Sequence, residues 1–244
     1  MSKRVSEIRK NIAPSSPILG INDAISLIKS YASSSYQSSK GQTNLVAKFD
    51  ESIDISVSLG IDCKKSDQAV RFPFVLPHGN GRQVKILVFT DNAKLALDNG
   101  ASYAGSDELI SSVLSGSISD FSVCLCDKSV IQKVSKLSRV LGPKGMMPSE
   151  KIGTVFQGES EMLSLINEIK KGRCSVKNDQ SAHIKLSIGR LSFDSEKILD
   201  NYNAFFDSLK RNKPSSVKGI FIKNIRISTT MLPLSVSIDF KNLS

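Results

Sequence analysis

The sequence predicts two domains, α/β and α+β in class: an antiparallel-sheet α+β domain interrupted by an inserted Rossmann-like three-layer α/β/α domain. Three observations carry this reading. The middle of the chain alternates near-continuous apolar strands with helical stretches, the pattern of parallel strands joined by crossover helices. Both ends carry strands of strict apolar/polar alternation, which suit a half-buried antiparallel sheet. Two polar, glycine-bearing stretches, PHGNG and KKGR, separate these patterns. The expected boundaries put 1–78 and 172–244 in the discontinuous domain and 79–171 in the insert, with Gly79 and Gly172 as hinges.

In chain order, NDAISLIKSYA is an amphipathic helix expected to be capped by Asn22. The serine-rich SYASSSYQSSKGQTN, 30–44, reads as a flexible loop. ESIDISVSLGI sets Ile53, Ile55, Val57 and Leu59 on one face of a strand. The insert opens with QVKILVFTD, apolar enough to be buried on both faces. NAKLALDNG is a helix ending at Gly100, ASYAG a short strand, and SDELISSVLSG a helix with a Ser/Asp start. DFSVCLCD is a second buried strand, and KSVIQKVSKLSRVL a helix. SEMLSLINEIKKG places Met162, Leu165, Ile166 and Ile169 at helical intervals and stops at Gly172. HIKLSIG, GIFIKNIRIS and LSVSIDF then alternate as strands, with DSEKILDNYNAFFDSLKRN a helix from Asp194 to a stop before Pro214.

Composition narrows the function classes. No run of about twenty apolar residues is present to span a bilayer. The charged start MSKRVSEIRKN lacks a secretory apolar stretch, and Glu7 argues against an organellar transit peptide. Cys63, Cys124, Cys126 and Cys174 have no zinc-site spacing with each other or with His78 and His183, so no metal and no cofactor is expected and the thiols read as buried and inert. No Ser/His/Asp or Cys/His pattern supports nucleophilic catalysis.

The net charge of +10 suits a polyanionic partner. Its distribution is uneven. The insert has 11 basic and 10 acidic residues; the flanks have 22 and 13. The excess therefore lies in the antiparallel domain, where a nucleic acid is expected.

The insert also contains RVLGPKGMMPSEKIGTV, 139–155. It lacks P-loop spacing, and Pro143 removes a backbone donor. A phosphate cradle and a plain surface turn both fit these residues. The expectation is a glycine-shaped surface that makes secondary contacts to RNA or to the other domain through Arg139, Lys144 and Lys151, with Gly142 and Gly145 supplying the turn.

Five blocks, KFDESIDISVSLGIDCKKSDQAVR, VLPHGNGRQVKILVF, KLSRVLGPKGMMPSEKIGTV, KPSSVKG and STTM, together resemble the family of large-subunit ribosomal protein number one, in its bacterial or organellar form. They follow the family's order from about residue 45 to 231. The resemblance implies a non-enzymatic protein of the mobile stalk beside the tRNA exit site, in cytoplasmic or organellar ribosomes and monomeric off them. Its implied partners are large-subunit rRNA, exit-site tRNA, whose release it assists, and its own messenger, which it represses. Matching positions imply RNA contacts at Lys48, Phe49, Lys177, Asn178, Thr229, Thr230 and Met231. Thr hydroxyls reach 2′-OH groups, and Phe49 and Met231 offer apolar contact. Read without the family, Phe49 equally fits a core, Thr229 and Thr230 a strand, and Lys177 a solvated charge.

The chain departs from the family at three places. Leu232 replaces a usual glycine, so a side chain stands where backbone would approach RNA. Residues 184–189 read Ile-Lys-Leu-Ser-Ile-Gly rather than Ile-His-Ala-Pro-Ile-Gly, and Gln180 replaces a lysine. The competing reading is a nucleotide-using enzyme on the insert. It needs a glycine-rich turn after the first strand, where this chain has TDNAK, Thr90 to Lys94.

Overall fold

The computed structural model describes residues 18–33, 35–38, 41–44, 47, 49–231 and 235–239. Lys48 and Leu232 lie outside them, as does the N-terminal start. The described chain runs β1 (Ile18–Leu19), α1 (Ile21–Ser33), β2 (Ser35–Ser38), β3 (Gly41–Asn44), β4 (Ser52–Leu59), β5 (Arg71–Val75) and β6 (Ile86–Phe89). It continues with α2 (Ala93–Asp98), β7 (Tyr103–Gly105), α3 (Asp107–Leu114), β8 (Val123–Asp127), α4 (Ile131–Val134), α5 (Ser138–Lys144) and β9 (Val155–Phe156). Then follow α6 (Glu159–Lys170), β10 (Arg173–Lys177), β11 (His183–Arg190), α7 (Ser195–Arg211), β12 (Ile222–Thr229) and β13 (Ser235–Ile238). Two compact units result. One takes the described residues through Val70, with Leu76–Gly81 and those from Val176 onward; the other takes Arg71–Val75 and Arg82–Ser175.

The first unit is built on a five-stranded sheet in the order β1-β13-β12-β4-β11, antiparallel except for the short β1–β13 pair. Alternation along β4 buries Ile53, Ile55, Val57 and Leu59, and the same parity buries Ile225 and Ile227 of β12 and Ile184 and Ile188 of β11. Each such side chain contributes about 1.5–3 kcal/mol. Ala24, Ile25 and Ile28 of α1 and Ile198, Tyr202, Phe205 and Leu209 of α7 are buried with them, giving helices on one face of a sheet. A polar anchor sits in this core. Asn201 of α7 is fully buried, accepts the His78 N–H at 3.0 Å, and donates to the carbonyls of Gly79 at 3.0 Å and Ile188 at 2.7 Å.

The second unit is a three-layer sandwich. Its four parallel strands lie in the order β7-β6-β8-β9. All four residues of β6 are buried, because helices cover both faces. Leu87 and Phe89 pack with α3, α4 and α5, while Ile86 and Val88 pack with Ala96 and with Met162, Leu165, Ile166 and Ile169 of α6. The helical positions expected to be apolar in α6 are thus the buried ones. β5 and β10 form a separate two-stranded sheet.

Several local expectations are corrected. Asn22 does not cap α1; it lies in the first turn, after Ile21. Part of 30–44 is not loop: α1 runs to Ser33, and β2 and β3 pair as a hairpin. The helix expected over 128–141 breaks at a 3-10 turn, Ser135–Leu137, and α5 then continues through Gly142 and Pro143. Gly142 therefore does not supply the turn. Gly145, at φ 68°, does: its N–H reaches the Gly142 carbonyl at 2.9 Å and the Met146 N–H reaches Leu141 at 3.1 Å, the paired bonds of a left-handed helix stop. Of the thiols, Cys124 and Cys126 are buried, whereas Cys63 and Cys174 are partly exposed.

Two outcomes follow from this packing. Asn201→Leu strips partners from three backbone groups, one of them, the Ile188 carbonyl, buried, so unfolding in urea, followed by circular dichroism, should show a loss of about 1–3 kcal/mol. Desolvation pushes the thiols of Cys124, Cys126 and Cys174 up to about 12. At pH 8 they remain protonated, so a thiol reagent should label Cys63 first, as read by mass spectrometry.

Candidate nucleic-acid interface

The residues singled out from the sequence fall at two ends of β4. At its start, Ser52 and Thr230 are cross-strand neighbours. The Thr230 N–H donates to the Ser52 carbonyl at 3.2 Å, and their hydroxyls lie 2.8 Å apart. Glu51, only 2% exposed, accepts the Met231 N–H on its carboxylate at 3.1 Å, and its carbonyl accepts the Leu191 N–H at 3.0 Å. Asp50 accepts from the Ser192 hydroxyl at 2.7 Å and through its carbonyl from the Arg190 guanidinium at 2.7 Å. These bonds hold Phe49 and Met231 outward, 51% and 42% exposed. Phe49 forms one wall of a cleft of about 440 Å³, with Lys29, Ala32, Glu51 and Leu191.

So Phe49 is not core, and it shares one surface with Thr230 and Met231. Thr229 points the other way. It is 5% exposed, in register with Ile53, and its hydroxyl has no partner among the described residues. The ring, the thioether and the Ser52/Thr230 hydroxyls together offer what a ribose and an unstacked base require: an apolar face beside groups that both donate and accept.

Lys177 and Asn178 lie at the opposite end. Asn178 bridges Ile184, which is in register with Val57, some four positions from Ile53. Its side chain is occupied: Oδ1 accepts the Val70 N–H at 2.9 Å and Nδ2 donates to the Asp179 carbonyl at 3.1 Å. Lys177 is exposed. At about 3.4 Å per residue, the two ends of β4 are roughly 24 Å apart.

Between them runs a polar sheet face that the sequence reading did not single out. Ser52, Asp54, Ser56 and Ser58 are half-buried on β4, and the exposed Lys185 and Arg226 flank Ser56 in register from β11 and β12. The signal was the polar half of the alternation that identified the core.

On the second unit, Arg139, Gly142, Lys144 and Gly145 are exposed around the end of α5, and the side chain of Lys151 lies outside the described residues. The Lys144 ammonium sits 5.6 Å from the Phe121 ring, a weak cation–π contact. At the carboxyl ends of the parallel strands, where folds of this type bind nucleotides, stand Asp91, Asp107, Asp127 and Glu159. Asp107 holds Lys133 at 2.9 Å, and Asp127 accepts the Ser129 N–H at 3.1 Å. No glycine stands in the turn after β6, Thr90 to Lys94, so the nucleotide-binding reading of this rim gains no support.

A basic sheet-and-helix unit, interrupted by a near-neutral parallel unit with an acidic strand rim, is the build of a nucleic-acid-binding protein. Comparison with known proteins makes this particular. The profile of the Ribosomal protein L1p/L10e family matches residues 38–233, and the chain belongs to that family. The large ribosomal subunit protein uL1 of Thermosipho africanus (strain TCF52B) is 36% identical over 234 residues, covering 95% of this chain and 94% of that protein. The resemblance seen in the residue blocks is thereby borne out, and family membership makes this a ribosomal protein with a structural role. Among the described residues no helix is long and apolar enough to cross a membrane.

The buried Glu51 carboxylate is the piece that orients Met231. Glu51→Ala should speed amide exchange at Met231 and lower stability by about 1–3 kcal/mol, measured by hydrogen exchange and urea titration.

Proposed function

We propose that this chain is the large-subunit ribosomal protein that binds large-subunit rRNA through its antiparallel unit and forms the mobile stalk at the tRNA exit site. The observation that carries the reading is the outward cluster of Phe49, Thr230 and Met231, locked by Glu51 and Ser52 on the unit with the basic excess. Lys48 and Thr229 adjoin this cluster in sequence, and Lys177 and Asn178 mark the far limit of the same surface. Hydroxyls and an aromatic ring give recognition of structured RNA, and lysines give electrostatic affinity.

In this reading the second unit makes weaker contacts. Arg139, Lys144 and Lys151 touch exit-site tRNA or ribosomal RNA and assist release of the deacylated tRNA. Gly79 and Gly172, at φ 67° and 106°, act as hinges. Positive φ favours glycine at both places. An RNA fold in the chain's own messenger that mimics the rRNA site would be bound by the same cluster, giving repression. The protein works in the ribosome of a bacterial cytoplasm or an organelle and is a monomer away from it.

The test is direct. Thr230→Val combined with Met231→Ala should weaken binding to the isolated rRNA segment by about 1–3 kcal/mol in a gel-shift titration, with an unchanged circular dichroism spectrum. Unchanged affinity would remove this cluster from the interface.

A further inference from the structure

The far end of β4 carries a feature that the reading above leaves unused. Three loops of the antiparallel unit converge there: 60–70, 178–182 and 213–221. They are tied together by hydrogen bonds. Gly60 N–H donates to the Phe221 carbonyl at 2.7 Å, Leu59 N–H to Ala182 at 2.8 Å, and the Ser216 hydroxyl to the Asp67 carbonyl at 3.2 Å. Gly60 is pressed so close that a Cβ there would collide with the Ile220 carbonyl oxygen. The loops therefore form one shaped surface.

Its charge is unbalanced. Lys64, Lys65, Lys177, Lys213, Lys218 and Lys223 are all exposed, and none makes an ion pair among the described residues. Three exposed carboxylates, Asp62, Asp67 and Asp179, share these loops, and Asp179 lies 3.8 Å from Lys185. Asp62 accepts the Lys64 N–H at 3.1 Å, and Asp179 accepts the N–H groups of Ser181 at 2.9 Å and His183 at 2.8 Å. Backbone donors thus fix two of these acids, and six exposed lysines against three carboxylates leave the loop end net positive. Ile220, 76% exposed, stands between Lys218 and Lys223 in the chain.

We propose that this loop end is a second RNA site: a clamp for the phosphodiester backbone, centred on Lys64, Lys65, Lys218 and Lys223, with Ile220 against a sugar face. The inference rests on the reading of the chain as an RNA-binding protein and adds to it a contact about 24 Å from the Phe49 cluster. Flexible, exposed ammonium groups on a fixed frame suit phosphates, which need charge rather than base-edge geometry. The clamp fixes where the RNA lies along β4, while the Phe49 end selects which RNA it is.

The test uses the full chain and the isolated rRNA segment, with affinity measured across a salt series. The triple change Lys64→Gln, Lys65→Gln and Lys218→Gln should reduce the slope of log affinity against log salt by about 2–3. A charge-matched control, Lys94→Gln, Lys128→Gln and Lys171→Gln on the second unit, should leave the slope unchanged. Circular dichroism checks both folds; if the triple variant unfolds, Lys64→Gln with Lys65→Gln is read the same way, with a smaller slope change. Equal slope changes in test and control would mean a diffuse charge effect and overturn the clamp. An unchanged slope, with Thr230→Val/Met231→Ala still weakening binding, would overturn the clamp and leave the function reading intact. If neither set of changes affects binding, both readings fall. Full RNA affinity with loss of a neighbouring ribosomal protein would make the surface a protein contact instead, and also overturn the proposal.

Discussion

The period of two residues along β4 is the constraint on which the antiparallel unit depends. β4 lies between β12 and β11, so both its edges are committed. Its inward residues, Ile53, Ile55, Val57 and Leu59, are each 2% exposed or less. A slip of one residue would exchange them for Ser52, Asp54, Ser56 and Ser58 and bury a carboxylate. That penalty locks the register with β12 and β11 together. Once it is locked, Thr230 must sit beside Ser52, and Asn178 must sit near the opposite end. The positions of both surface regions are thus consequences of core packing.

The same period explains what could be read from the sequence. Strands with apolar alternation were legible, and so was the parallel unit, because continuous apolar strands between helical stretches have few alternative folds. What escaped lacks that signal. β1 and β9 have two residues each, too few for any period. β2 and β3, SYQS and GQTN, carry no run of apolar residues to mark a buried face. β5 contains Pro73, which normally argues against a strand and is tolerated at an edge. Gly142 and Pro143 look like a loop, yet α5 passes through them and stops just after, at Gly145, with the proline forgoing one helical N–H bond there.

The site was legible in part, and parity accounts for the rest. Ile225 and Ile227 point inward, so Thr229 must do so as well, and Thr230 must not. STTM read as a block hid this; read as a strand continuing β12, it assigns one threonine to the core and one to the surface. Asn178 is a different case. Nothing in its local sequence shows that Val70, over a hundred positions away, takes its side-chain oxygen. Such long-range pairings appear only once the loops are folded together.

The two ends of β4 also divide the physics of recognition. At the Phe49 end, among the described residues, Arg190 donates to the Asp50 carbonyl, and Lys29 donates to the Phe193 carbonyl at 2.5 Å and the Ser195 hydroxyl at 3.2 Å. What remains outward is an aromatic ring, a thioether and hydroxyls, whose contacts depend little on ionic strength. At the loop end exposed lysines outnumber exposed carboxylates, six to three. The RNA contacts proposed there would fall off steeply with salt, since each phosphate neutralised releases counterions. On the proposed reading, such a surface would attract RNA mainly by charge at the loop end and hold the right one mainly by shape at the Phe49 end, where Lys48 adjoins in sequence. The sheet would then hold a more salt-sensitive and a more salt-tolerant contact at a fixed separation on one RNA.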